Sequence, residues 1–134
     1  MKKFALIFVT LLMLYSCTVE DNRPKYHFEI LPIESYTVPE SFVLGQTYQI
    51  KMKYKKGTSC HQFQGFYYEK NLNVRTVAVQ TLVSENTTCI ADTTSVEVSF
   101  NFYVTSNGSY IFKFFKGVDE AGNDIFHEVE IPVN

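Results

Sequence analysis

A cysteine followed directly by a histidine could supply a nucleophile in this chain of 134 residues. Cys60 precedes His61, and a thiol that a histidine deprotonates can attack an electrophilic substrate. This chemistry requires that Cys60 be unpaired. The other histidines, His27 and His127, are scattered, and His127 alternates with apolar residues as a core histidine does. The sequence contains no defensible catalytic constellation, and we expect that the protein is not an enzyme.

Carboxylates are concentrated near the end of the chain, at Asp119, Glu120 and Asp124, with Asn123 among them. Calcium prefers oxygen ligands of this kind, but their spacing is not that of a known calcium loop. Gly122 and Asn123 are residues that form tight turns. We therefore expect turn chemistry here and no cofactor or metal, with a calcium site as the weaker alternative.

The segment 61–68 is rich in aromatic and amide side chains. Tyrosine rings beside amides can hold sugars or peptides, although alternation along a strand would turn half of these side chains into a core. The candidate ligand surface comprises His61, Gln62, Phe63, Tyr67 and Tyr68.

The first 16 residues have the layout of a secretory signal. Lys2 and Lys3 precede an uncharged, mostly apolar stretch over 4–15. This stretch is shorter than the roughly 20 apolar residues that a membrane-spanning helix needs. We therefore expect that residues 1–16 are removed during export.

The end of this segment, Leu14-Tyr15-Ser16-Cys17, resembles the bacterial lipobox, although Tyr15 is bulkier than the usual residue there. The resemblance implies that Cys17 becomes the lipid-bearing first residue of a lipoprotein anchored in the cell envelope. Residues 17–25 would then be the lipidated cysteine and its flexible tether. Glu20 and Asp21 resemble an export tag by which some Gram-negative bacteria send lipoproteins to the outer cell surface. This resemblance implies an outer-membrane lipoprotein exposed on the cell surface, and a solvated tether is the alternative.

The remaining chain is large enough for one domain, which we place at 26–134. Removal of Lys2 and Lys3 from the 12 basic residues leaves 10 against 14 acidic residues. This negative balance argues against nucleic acid as a partner, because binding to nucleic acid depends on basic patches.

With Cys17 lipidated, Cys60 and Cys89 remain as an even pair. An even pair in an exported protein predicts a disulfide. A metal site formed by Cys60, His61 and Cys89 is the weaker alternative, since adjacent residues on an extended chain point apart and no fourth ligand is evident.

Alternation of apolar and polar residues at a period of two recurs along the chain and predicts about seven strands. Turn-forming residues separate the alternating runs, and Pro32 and Pro39 interrupt the first, as in an edge strand or a strand that switches sheets. The predicted strands lie in 26–42, 48–55, 63–70, 74–83, 96–102, 110–114 and 125–131.

The last third of the chain resembles the final hairpin of bacterial immunoglobulin-like domains, with a G-x-Y-x-F pattern followed by D-x-A-G-N. The matching residues are Gly108, Tyr110, Phe112, Asp119, Ala121, Gly122 and Asn123. The resemblance implies an all-β, about seven-stranded antiparallel immunoglobulin-like sandwich. The chain has no Trp, and its cysteines are not at the antibody positions, so the resemblance is one of architecture.

The expected function is that of a non-enzymatic, lipid-anchored binding or accessory module. Its partners would be the membrane, through the lipid, and a glycan, a peptide or an envelope protein. A structural subunit of an envelope complex is the alternative, and an enzyme or inhibitor is a weaker one.

Overall fold

A computed structural model describes residues 22–85 and 87–134, and within these ranges the chain is all-β. No described segment is a helix of the length and apolar character needed to cross a membrane. The predicted signal peptide, Cys17, Glu20 and Asp21 lie outside the described residues. The eight strands are β1 (Tyr26–Leu31), β2 (Ile33–Thr37), β3 (Thr47–Thr58), β4 (His61–Asn71), β5 (Val74–Ser84), β6 (Ala91–Tyr103), β7 (Tyr110–Val118) and β8 (Asp124–Ile131).

The strands form two sheets, and the core lies between them. The smaller sheet has the order β2-β3-β6, and the larger contains β1, β4, β5, β7 and β8. In the larger sheet, β4 pairs with one edge of β5. The other edge of β5 is shared, because β1 pairs with residues 79–84 and β7 pairs with residues 74–77. β8 then pairs with β7.

Pro32 divides the first predicted strand into two. β1 ends at Leu31 in the larger sheet, and β2 begins at Ile33 in the smaller sheet. A proline has no N–H to donate to a ladder, so a strand can change sheets there at little cost. The predicted switch is confirmed, and it accounts for eight strands where the sequence predicted about seven.

One strand pair departs from the expected antiparallel arrangement. β5 and β7 run parallel over four residue pairs, from Val74–Ile111 to Val77–Phe114. The strand between them in sequence, β6, crosses the molecule in the other sheet. Two crossings of the sandwich return the chain in its original direction, so β7 enters the larger sheet parallel to β5. The prediction of a wholly antiparallel sandwich was wrong at this pair.

The core is mainly aromatic. Tyr110, Phe112 and Phe114 alternate along β7 and are fully buried, as their shared face predicted. The ring of Phe102 packs edge-on against Phe112, with 5.1 Å between centroids. Burial of such a side chain contributes roughly 1.5–3 kcal/mol to folding, so this ladder of rings is a main source of the stability of the domain.

In the smaller sheet, too, buried and exposed residues alternate along a strand. In β3, Ile50, Met52 and Tyr54 are buried, while Lys51 and Lys53 point away from the core. Burial raises the pKa of Tyr54, because apolar surroundings disfavour the charged phenolate. The alternation predicted for this strand is confirmed.

The two ends of the sandwich differ. We call one the disulfide end, because it holds Cys60 and Cys89. The start of β1 is there too, since the Glu85 amide donates to the carbonyl oxygen of Lys25 at 2.8 Å. The β7–β8 turn also lies at this end, because β7 runs parallel to β5. The opposite end, which we call the far end, carries the β4–β5 turn with exposed Leu72.

Candidate functional site

The predicted disulfide is confirmed. Cys60, in the β3–β4 turn, is bonded to Cys89, in the β5–β6 loop, and their Cα atoms are 5.4 Å apart. Cys60 is therefore not a free nucleophile. The alternative metal site is wrong too, since no group of three or more His, Cys, Asp or Glu side chains in 22–85 and 87–134 is arranged to hold an ion.

His61 is a buried structural residue beside the disulfide. The Thr58 amide donates to Nδ1 at 3.2 Å, so in the neutral ring the proton is on Nε2. Nε2 lies 3.0 Å from Oε2 of Glu29 on β1 and donates to it. The imidazole thus ties the β3–β4 turn to β1. His27 makes a similar contact with a carboxylate, because its Nδ1 lies 2.9 Å from Oε1 of Glu85.

The structure divides the predicted ligand surface at 61–68 between two sides of the sheet. Tyr67 pairs with Ala78 and faces outward, whereas Tyr68 pairs with Val77 and faces the smaller sheet. Phe63 also lies on the inner side, with its ring 6.4 Å from that of Tyr54. The five residues therefore do not share one face, because side chains alternate along an extended strand, and a ligand at any of them stays a prediction. His61 makes the hydrogen bonds with Thr58 and Glu29 that are described above, and Gln62 is exposed on the outer side.

The acidic loop forms a turn. Oδ1 of Asp119 accepts hydrogen bonds from the amides of Ala121 and Asn123, each at 2.9 Å. Oδ2 accepts one from the side-chain amide of Asn123 at 3.3 Å. The carboxylate of Asp119 is thus engaged within the β7–β8 turn, as the turn interpretation predicted. Glu120 and Asp124 do not join it in a metal-binding group among the described residues, so the calcium alternative is not supported.

A concave surface lies on the side of the larger sheet that faces away from the core. We call it the outer groove, and its volume is about 330 Å³, within the range of small-ligand sites. The pairs Tyr67–Ala78 and Phe115–Phe126 bring residues of four strands to this face. Ala78 is small and buried, so it forms a floor between the larger side chains. The lining residues are Ile30, Tyr67, Glu69, Thr76, Ala78, Phe115, Asp124 and Phe126.

Hydrogen-bonding groups lie among the rings of the outer groove. The hydroxyl of Tyr67 donates to Oε2 of Glu69 at 3.1 Å. This hydrogen bond, together with the negative charges of Glu69 and Asp124, raises the pKa of Tyr67. The ammonium of Lys113 lies 4.6 Å from the centroid of the Phe126 ring. The groove therefore combines aromatic faces, a neutral phenol and two carboxylates.

A second concavity opens between the edges of β4 and β6. We call it the side cleft, and its volume is about 440 Å³. Each of these strands has only one partner among the described residues, so the two sheets do not close over this side. The ring of Phe100 packs against Phe66 and Tyr68, at 5.3 and 5.7 Å between centroids. The other lining residues are Lys70, Arg75, Asn101, Phe102, Tyr103 and Thr105.

Sequence reasoning missed most of both concavities. Besides Glu69 on its own strand, the partners of Tyr67 in the outer groove come from β1, β5, β7 and β8, and their proximity depends on the pairing of β5 with both β1 and β7. One signal was available: Phe114 and Phe115 are adjacent apolar residues in an alternating strand, so one of them had to lie outside the core. Arg75, the one charged residue of β5, was the corresponding signal for the side cleft.

Comparisons with protein families, with curated proteins and with solved structures find no match to this chain. The function must therefore be argued from these surfaces.

Proposed function

We propose that this protein is a lipid-anchored, non-enzymatic binding module of the bacterial cell envelope and that the outer groove is its binding surface. The anchor would be Cys17, as the lipobox resemblance implies, and Glu20 and Asp21 favour the outer membrane as its location. The observation that carries the proposal of a binding surface is the exposed aromatic face of the larger sheet. A solvated sheet face is normally polar, and exposed apolar patches rimmed by polar groups mark interaction sites.

We propose further that the domain is an immunoglobulin-like sandwich. If β2 to β8 are taken as strands A to G, the smaller sheet holds A, B and E, and C, F and G are together in the larger sheet, as in that fold. Strand D differs, because β5 lies between C and F instead of beside E.

A hydrogen-bonded tyrosine also supports this assignment. Tyr110 stands at the start of β7, and its hydroxyl oxygen accepts from the amides of Thr105 and Ser106 at 3.2 and 2.9 Å. Many immunoglobulin-like sandwiches have a tyrosine at this corner whose hydroxyl bonds to the preceding backbone. Burial opposes ionisation of Tyr110, but the hydrogen bonds from Thr105 and Ser106 and the charge of Arg75 lower its pKa overall.

The ligand class that suits the outer groove is a neutral glycan. The faces of aromatic rings carry partial negative charge and attract the C–H faces of sugar rings. Tyr67 and Phe126 offer such faces, and the carboxylates of Glu69 and Asp124 can accept hydrogen bonds from sugar hydroxyls. A ligand site usually has an apolar lining with a small number of convergent polar groups.

Calorimetric titration tests this proposal. The protein, purified in detergent, is titrated with cellohexaose, maltohexaose, xylohexaose and mannohexaose. We expect one of these to bind and Tyr67→Ala to weaken the binding about tenfold, the effect of losing roughly 1.4 kcal/mol.

Tyr26→Ala is the matched control, because Tyr26 and Tyr67 are equally exposed, at 48% each, and Tyr26 does not line the outer groove. This variant should bind within twofold of the unchanged protein. Absence of binding by all four oligosaccharides, or unchanged affinity of Tyr67→Ala, would refute a glycan site in the groove.

A specific observation favours a second function, that of a subunit of an envelope complex. Tyr26, Phe28 and Ile30 alternate on the outward side of β1 and are 48%, 62% and 40% exposed. They extend the apolar face beyond the outer groove. Specific co-purification of an envelope protein, lost in Phe28→Ser, would support this function.

A further inference from the structure

Arg75 is a buried cation without a carboxylate partner among the described residues. Only 3% of its surface is exposed, and no described Asp or Glu lies within ion-pair distance of it. Its Nη1 atom donates to the carbonyl oxygens of Leu72 and Val74, at 2.6 and 3.0 Å. Its guanidinium carbon lies 5.0 Å from the ring centroid of Tyr110. Dipoles and rings thus stabilise the charge without neutralising it.

This charge faces the side cleft. Arg75 lines the cleft together with Lys70, which is exposed on the adjacent strand β4. The positive charge of Arg75 reaches Tyr68, where it opposes the rise in pKa that burial causes. The protein as a whole has a net charge of −2, so two cations in one concavity form a local positive field on an acidic molecule. A cleft of this kind attracts anions.

The other lining groups suit a ring-shaped ligand. Tyr68 and Phe100 offer aromatic surface at the mouth of the cleft. Asn101 and Thr105 supply an amide and a hydroxyl on the opposite strand and the loop that follows it. A volume of about 440 Å³ falls in the range of small-ligand sites. The cleft therefore provides stacking surface, neutral hydrogen-bonding groups and positive charge together.

We propose that the side cleft binds an acidic sugar residue, whose carboxylate meets Arg75 and Lys70 and whose ring lies against Tyr68 and Phe100. The guanidinium geometry favours a carboxylate, since its planar fork can donate two parallel hydrogen bonds. This inference does not depend on the outer groove, because the two concavities lie on different sides of the larger sheet and share no lining residue.

The test compares two ligands that differ in the carboxylate. Calorimetric titrations of the protein in detergent use digalacturonic acid and the neutral disaccharide galactobiose. We expect digalacturonic acid to bind at least tenfold more tightly, and its affinity to fall as salt screens the cleft. Equal affinity for the two disaccharides, no binding of either, or equally strong competition by acetate would overturn the proposal.

Three variants locate the site. Arg75→Lys keeps the charge but loses the fork, and it should weaken digalacturonic acid binding about tenfold. Because Arg75 also bonds to the β4–β5 turn, Lys70→Gln serves as a second variant on an exposed side chain, with an expected loss of about threefold. Lys116→Gln, an exposed lysine that lines neither concavity, should bind normally.

Unchanged affinity in both Arg75→Lys and Lys70→Gln would refute the assignment of the ligand to the side cleft. Tyr67→Ala should leave digalacturonic acid binding unaltered, so failure of the outer-groove proposal can be told apart from failure of this one.

Discussion

At the scale of single residues, Asp119 shows how one carboxylate can shape a turn. Its two oxygens accept three hydrogen bonds from the residues that follow it. Its backbone carbonyl also accepts from the Gly122 amide at 3.0 Å. Gly122 has a φ of +84°, a conformation that favours glycine. The turn is therefore specified by a charged acceptor and by a residue without a side chain.

This network makes the turn sensitive to acid. The backbone hydrogen bond from Asn123 is the main cause that lowers the pKa of Asp119, and the other bonds of the turn add to it. The unfolded value is about 3.9. A group whose folded pKa is depressed stabilises the fold above the unfolded value, and that stabilisation is lost as the pH falls through the folded pKa.

We therefore predict that Asp119→Asn changes how the melting temperature depends on pH. Asparagine retains an oxygen that can accept from the turn amides but does not titrate. Below about pH 4, the melting temperature of the unchanged protein should fall more steeply than that of the variant. Glu120→Gln, at the neighbouring position, is the control and should follow the unchanged protein. Parallel curves for Asp119→Asn and the unchanged protein would contradict this account.

Individual side chains were predictable where local chemistry decides their role. Gly122 and Asn123 indicated the turn, and the even pair of cysteines that remains when Cys17 is set aside indicated the bond between Cys60 and Cys89. The charge of Arg75 marked the residue, but its position in the side cleft was not predictable, because it depends on where β6 lies relative to β4. A sequence pattern carries no information on the open side between two sheets.

At the scale of elements, the disulfide joins two connections whose flanking strands also pair with each other, Thr58 with Ala91 and His61 with Val83. Cys60 lies between β3 and β4, and Cys89 lies between β5 and β6. Around the bond, the Ser59 amide donates to the carbonyl oxygen of Ile90 at 2.9 Å. The bond therefore adds a covalent link to a ladder that already holds the start of β6 beside the end of β3.

We predict that Cys60→Ser/Cys89→Ser lowers the free energy of unfolding by about 3–4 kcal/mol, the value expected from loop closure over a separation of 29 residues. Urea denaturation of both proteins measures the difference. Reduction of the unchanged protein with dithiothreitol should reproduce it, which separates loss of the bond from the effect of the serines. A loss below about 1 kcal/mol would show that the other contacts of the disulfide end hold the loops without it.

Strand existence was predictable and strand pairing was not. The alternating runs correspond to β3 and β7 because each sheet has one buried face. Pro32 correctly indicated the change of sheet. The parallel pairing of β5 with β7 has no local signature, since it follows from the side of the sandwich on which β6 lies. The outer groove depends on that pairing, so it could not be derived from 67–68 alone.

At the scale of the whole molecule, the position of the first strand would set the orientation of the domain on a membrane if Cys17 carries a lipid. β1 begins at the disulfide end, and residues 18–25 can span at most about 29 Å when fully extended. The long strand β3 has 12 residues, which corresponds to about 40 Å. If Cys17 carries the lipid, the disulfide end stays near the bilayer and the far end points away from it. Lys70 and Thr105 lie toward the far end, so the side cleft would be accessible to ligands on the side of the domain that points away from the bilayer.

Energy transfer can measure this orientation. Leu72 at the far end is 86% exposed, and Val118 at the disulfide end is 59% exposed, so Leu72→Cys and Val118→Cys each give a labelling site without disturbing the core. Each new cysteine carries a donor fluorophore, and the labelled proteins are reconstituted, with the disulfide intact, in vesicles that contain rhodamine-labelled lipid as the acceptor. We predict stronger transfer from position 118 than from position 72, because transfer decreases with distance from the bilayer. Cys17→Ala should not associate with the vesicles and should show no transfer from either site. Equal transfer from both positions would contradict the orientation, and vesicle binding by Cys17→Ala would contradict the anchor itself.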